Sequence, residues 1–188
     1  IAENLKMVQK KVDTDAARII EQRKRKIEES PDDIDAYLEM GRAYESVDMT
    51  QEALMAYQRV LAINPKFVPG LMLYAELLRK LGRLKMAMRC YREIIKLEPN
   101  NLDAHLFMIN ANLNLGFINE ANKHATIAEK LSKEDDMRVH FLLGKICFAK
   151  GLAPRALKEF TKVTDSVGDP ELISWAELMR KRLLRTNK

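Results

Sequence analysis

At 188 residues, with 47% hydrophobic and 31% charged side chains, the chain carries enough apolar surface for one ordinary domain or a short array of repeats, and too much for a disordered one. No run of about 18 apolar residues exists to cross a bilayer as a helix, and two cysteines, Cys90 and Cys147, are too few for a disulfide framework and lack zinc-site spacing. The net charge of +5 is a patchwork, with seven basic and two acidic residues in Pro69–Lys96, an acidic excess in Asp32–Gln58 and a second basic concentration in Arg138–Lys188. That pattern describes a solvated surface better than a phosphate-binding face.

In chain order, residues 1–33 are helical in composition. Leu5, Val8 and Val12 fall at a 3,4 spacing that fits a short coiled coil or a connection to further sequence, and Thr14 to Glu29 reads as a lone helix packing on the segment that begins at Ile34. The run Arg23–Lys26 is expected to be a solvated helix face, with lipid headgroups or nucleic acid as the alternative. The start at Ile1, without methionine or an apolar signal core, is expected to be a processing boundary.

From Ile34 the chain is periodic: Pro31, Pro65 and Pro99 are each 34 residues apart. Counting Ile34 as position 1, apolar residues fall at helical spacing on a first helix (Tyr37, Met40, Tyr44) and a second (Ala53, Tyr57, Val60), each with one buried stripe. Val68–Asn101 fills the same positions with Leu71, Tyr74, Ala75, Leu78, Ala87, Tyr91, Ile94 and Pro99. Leu102–Asp135 is weaker: Met108, Ala121 and Ala128 fit, while His105, Ile109, Asn112 and Lys133 depart from the pattern. After the extra Asp136, Met137–Pro170 restores it with Leu143, Gly144, Ala156, Phe160 and Val163.

Small residues at positions 8 and 20 are expected to let paired helices approach closely. Gly82, Gly116 and Gly151, all at position 15, suit the left-handed residue that ends a helix. Residues 171–188 read as a terminal helix covering the last apolar face, with Leu172, Trp175, Met179 and Leu183 on one side and Trp175 as its anchor.

These positions carry a resemblance to the tetratricopeptide repeat family, covering Ile34 to Pro170. The resemblance implies an all-α fold, an α-solenoid in which helix-turn-helix repeats (34–67, 68–101, 102–135, 137–170) build a right-handed superhelix, with an extra N-terminal helix in 1–33 and a C-terminal capping helix in 171–188. In that family the first helices line a concave groove. Carried over, it is expected to be lined by Leu38, Arg42, Glu45, Met72, Glu76, Arg79, Leu106, Asn110, Leu113, Arg138, Phe141, Lys145 and Phe148. The set of Lys, Asn and Arg with which some members clamp a peptide's terminal carboxylate is absent. An apolar row at position 5 suits instead a partner's amphipathic helix or extended apolar segment.

His105, His124 and His140 are scattered over separate helices without metal-ligand spacing, and read as packing or surface residues. No Gly-rich phosphate loop, Gly-x-Ser-x-Gly or His-Glu-x-x-His occurs, so no catalysis, cofactor or metal is expected. The expected function is a non-enzymatic scaffold that holds a protein or peptide partner within an assembly. Nucleic-acid binding through Arg79–Arg92 and Arg180–Arg185 is disfavoured by the shortage of stacking aromatics. Self-association stays open, cytoplasmic residence is expected, and a membrane is reached only through a missing anchor or a partner.

Overall fold

The computed structural model describes residues 2–132 and 136–186, with side chains from Thr14 to Arg185 apart from the gap. The readings of Leu5, Val8, Val12 and Lys133 lie outside the described side chains. All elements among the described residues are helices: α1 (Ala2–Glu29), α2 (Ile34–Ser46), α3 (Thr50–Ile63), α4 (Val68–Lys80), α5 (Leu84–Leu97), α6 (Leu102–Asn114), α7 (Ile118–Leu131), α8 (Met137–Ala149), α9 (Ala153–Thr164) and α10 (Pro170–Thr186). The expected lead and lone helix are one continuous α1. The helices fall into two units, residues 1–97 with α1–α5 and 98–188 with α6–α10.

Helix starts follow side-chain chemistry. Asp33 accepts from the Ala36 backbone N–H at 2.8 Å, Asn101 from that of Ala104 at 3.0 Å, and Asp136 from that of Arg138 at 3.0 Å. Each satisfies a first-turn donor that has no partner within its own helix. Before α4, Phe67 cannot cap in this way, and Pro69 occupies the first turn, where its missing N–H costs nothing.

The turn inside each repeat is built the same way four times. Position 15 has positive φ in every case: Asp48 (58°), Gly82 (69°), Gly116 (78°) and Gly151 (73°). The next N–H reaches back to the position-11 carbonyl, from Met49 to Tyr44, Arg83 to Leu78, Phe117 to Asn112 and Leu152 to Cys147, at 2.8 to 2.9 Å. This closure occupies a carbonyl that the helix end leaves open and needs a residue tolerant of the left-handed region.

Within a repeat, position 8 of the first helix lies under position 24 of the second. A Cβ on Gly144 would stand 2.6 Å from Phe160 Cε1, and one on Gly41 would collide with the Tyr57 ring. The weaker repeat keeps the combined volume by exchanging sizes: Ile109 replaces the small residue, Ala125 replaces the ring, and both are buried in one cluster. Close packing requires some such exchange, because neither a void nor an overlap is cheap.

In the first unit each helix packs on its neighbour in sequence, and α1 is tied to α2 by the ion pair of Arg23 with Glu39. In the second, α8 touches α6 and α10 as well as α7 and α9. The last apolar face is covered by Leu172, Ala176, Met179 and Leu183 of α10. Trp175 is not among them: at 54% exposed it stands at the solvent edge of that face, with Leu178 at 55% beyond it, so it does not anchor the helix. The helical period explains the difference, since 172, 176, 179 and 183 fall in one narrow stripe and 175 at its margin.

Candidate partner-binding surface

The residues expected to line a groove divide between the two units. In the first, Leu38 of α2 is 7% exposed and belongs to the core, Arg42 is exposed, and Met72 of α4 is half-buried. Their polar neighbours are occupied with one another. Glu76 accepts from Arg79 Nε at 3.0 Å and Nη2 at 2.5 Å, and from the Tyr91 hydroxyl at 3.2 Å. The Arg79 guanidinium holds the Glu76 carboxyl below its ordinary range against the opposing effect of burial. Glu45 accepts from the Tyr57 hydroxyl at 2.7 Å and from Lys80 Nζ at 3.1 Å. This face of the first unit is closed by its own ion pairs and hydrogen bonds.

The second unit differs. Leu106 of α6 is 8% exposed and offers a partner little, whereas Leu113 is half-buried and Asn110 is exposed. Phe141, Lys145 and Phe148 stand on one face of α8 at helical spacing, and all three are half-buried. The Phe141 ring meets Phe160 edge-on at 5.9 Å between centroids, so part of it is core. Lys145 Nζ lies 5.9 Å from the Phe141 centroid and donates to Asn110 Oδ1 at 2.7 Å. Arg138 donates to Asp103 Oδ1 at 2.9 Å across to α6 and to Asp136 Oδ2 at 2.8 Å. From α10, the Arg182 guanidinium lies 5.4 Å from the Phe148 centroid. Sequence reasoning misses Arg182, because a terminal cap is not expected to wall this face as well.

It also misses two polar pairs inside the second unit. Positions 4 and 23 meet in each repeat: His105 Nδ1 is 3.0 Å from His124 Nδ1, and His140 Nδ1 is 2.8 Å from Glu159 Oε2. The signal is present, since both repeats carry polar residues at those two positions where the first has Tyr37 and Ala56. Among the described residues no group of three or more His, Cys, Asp and Glu side chains gathers, and no helix is long and apolar enough to cross a membrane.

Of the two basic segments, Arg79 and Lys80 are bound to Glu76 and Glu45, and Arg92 Nε donates to the Met88 carbonyl at 3.3 Å. Arg180 donates to Thr164 Oγ1 at 2.7 Å. Arg83, Lys85 and Arg89 are exposed.

A tetratricopeptide repeat family model matches residues 34–67 and a second matches 68–111. No curated protein sequence matches the chain. Among solved structures, a tetratricopeptide repeat protein from Parabacteroides merdae superposes with a TM-score of 0.81 at 16% identity, over 100% of this chain and 73% of that one. YrrB, described as a TPR protein with an unusual peptide-binding site, gives 0.73 at 19% identity over 87% and 84%. The Cut9–Hcn1 hetero-tetramer of the APC/C gives 0.72 at 19% identity, over 92% of this chain and 34% of that one. At these identities the likeness is one of fold.

Proposed function

The chain belongs to the tetratricopeptide repeat family, and from that premise we propose that it is a non-catalytic scaffold whose second unit holds a partner peptide or helix against α6, α8 and α10. Proteins of this family generally mediate protein–protein interactions, some of them within assemblies. The observation that carries the assignment to this face is the pair of half-buried rings, Phe141 and Phe148, seven residues apart on α8 with Lys145 between them. Half-buried aromatics beside a polar rim give a partner apolar area to cover and groups to orient it. The corresponding face of the first unit lacks such rings, and its carboxylates are already engaged.

Affinity capture from native lysate tests this, comparing the natural chain with an Asn110→Arg, Phe148→Ala variant of unchanged helicity and melting temperature. Loss of the captured partner supports the face. Undiminished capture that is lost instead in Arg83→Glu, Lys85→Glu, Arg89→Glu refutes it and favours the basic surface of α5, a nucleic-acid reading if nuclease also removes the partner.

Self-association has one observation in its favour, the exposed Trp175 and Leu178 on α10. Light scattering across a concentration series separates it: a mass that rises with concentration, and no longer does in Trp175→Glu, supports a dimer through that face.

A further inference from the structure

The polar balance of the second unit's face is uneven, and the imbalance centres on one side chain. Asp103 is the sole acidic residue of α6 and α8, and Arg138 neutralises it at 2.9 Å. Lys145, on the same face, has no carboxylate partner among the described residues. Its ammonium rests on a neutral amide oxygen, Asn110 Oδ1 at 2.7 Å, and above the Phe141 ring. An ammonium has three N–H donors, of which the amide takes one and the ring face another direction, leaving the third for an outside acceptor.

Burial draws the Lys145 ammonium below its ordinary range, and no carboxylate among the described residues opposes it. A partly desolvated cation without a counter-ion gains more from an arriving anion than a solvated one does, because the attraction is less screened and part of the desolvation cost is already met. Apolar surface for the rest of a ligand adjoins it: Phe141 lies one turn before Lys145 and Phe148 one turn after, with Leu113 half-buried on α6.

We infer that Lys145 anchors a subsite for an acidic side chain, and that the partner is a segment in which an internal Asp or Glu stands beside a large apolar residue, the carboxylate meeting Lys145 Nζ and the apolar side chain covering Phe141 and Phe148. This rests on the proposed face and adds the partner's chemistry to it. The preference is for a side-chain carboxylate, so a free chain terminus is not required. Position 9 supplies the charge; its equivalents are Arg42 and Glu76 in the first unit and Asn110 in the second, so Lys145 is the one cation at that position in the second unit.

The test is selection of displayed random 12-residue peptides on the natural chain, followed by affinity measurement of the recovered sequences as C-terminally amidated synthetic peptides. Recovered peptides are expected to pair Asp or Glu with Leu, Phe or Trp. Replacing the acid by its amide should weaken binding about tenfold, as should Lys145→Gln. In Lys145→Gln the acid and its amide should bind equally, a coupling that a merely structural lysine would not show. Lys145 is at the surface edge, and an unchanged melting temperature verifies that its variant is folded.

If the recovered peptides are neutral or basic, or keep their acid preference in Lys145→Gln, the acidic subsite is wrong while the face stands, provided that Phe148→Ala still abolishes binding. If binding survives Phe148→Ala, the face itself is wrong. Recovery of no peptide counts against both.

Discussion

His105 Nδ1 and His124 Nδ1 face each other at 3.0 Å inside the third repeat, while His105 Nε2 lies 2.9 Å from the Pro99 carbonyl oxygen. A carbonyl only accepts, so His105 carries a proton on Nε2, and in the singly protonated ring its bare Nδ1 accepts from His124 Nδ1–H. The pair joins α6 to α7. Burial, and then the neighbouring His105, push the His124 imidazole below its ordinary value; Glu120 opposes this and Lys123 adds to it. A histidine depressed in the folded state stabilises fully above its unfolded value of about 6.5, and that contribution is lost as pH falls through it, because the unfolded chain then binds the proton more readily. The urea midpoint is therefore expected to fall between pH 7.5 and 5, and His124→Gln to flatten that slope. Carboxylates held low in the fold, such as Glu76 and Asp136, lose their contribution only at lower pH. An unchanged slope in His124→Gln would remove the pair from the account.

The repeat frame was legible because it is written in residues whose roles are local. A left-handed turn needs Gly or a tolerant substitute, and a helix start needs Asp, Asn or Pro, wherever it occurs. What escaped depends on pairs. Ile109 at position 8 reads as a departure until Ala125 is seen to yield its volume, and His105 and His124 read as unrelated until two helices bring positions 4 and 23 together. Of the candidate face, Phe141, Lys145 and Phe148 come from the family resemblance, and helical spacing adds that they share one side of α8. The burial of Leu38 and Leu106 and the arrival of Arg182 depend on how neighbouring helices lie, which no local pattern encodes.

Asp48 holds the left-handed conformation that glycine holds in the other three repeats, at φ 58°. For a residue with a Cβ that region is strained, although aspartate tolerates it better than most. Asp48→Gly is expected to relieve the strain and, after the larger entropy of an unfolded glycine, to stabilise by about 0.5 kcal/mol. Gly82→Ala, at the equivalent position, should destabilise by about 1 kcal/mol. Chemical denaturation of both variants checks the opposite signs.

Gly144 and Phe160 supply a stronger test of the volume exchange. Gly144→Ala places a methyl 2.6 Å from the Phe160 ring and should cost about 1–3 kcal/mol. Phe160→Ala empties the site and should cost about 3–5 kcal/mol. The double variant Gly144→Ile, Phe160→Ala copies the arrangement of Ile109 and Ala125 and is expected to be more stable than Phe160→Ala alone. Additive losses in the double variant would show that the third repeat relies on something else.

In the first unit Glu45 receives two donors of unequal worth. The Tyr57 hydroxyl at 2.7 Å is part-buried, and burial together with Glu45 raises that phenol above its ordinary value. Lys80 Nζ at 3.1 Å belongs to a side chain 56% exposed, where water and salt screen the attraction. Tyr57→Phe strands part of a half-buried carboxylate and is expected to cost about 1–2 kcal/mol, whereas Lys80→Met should cost less than about 0.5 kcal/mol. Raising the salt concentration should shrink the lysine effect and leave the tyrosine effect nearly unchanged, since screening acts on the exposed charge and hardly on the shielded hydroxyl. Denaturation midpoints at low and high salt for the two variants decide between this ranking and one in which the ion pair is the stronger contact.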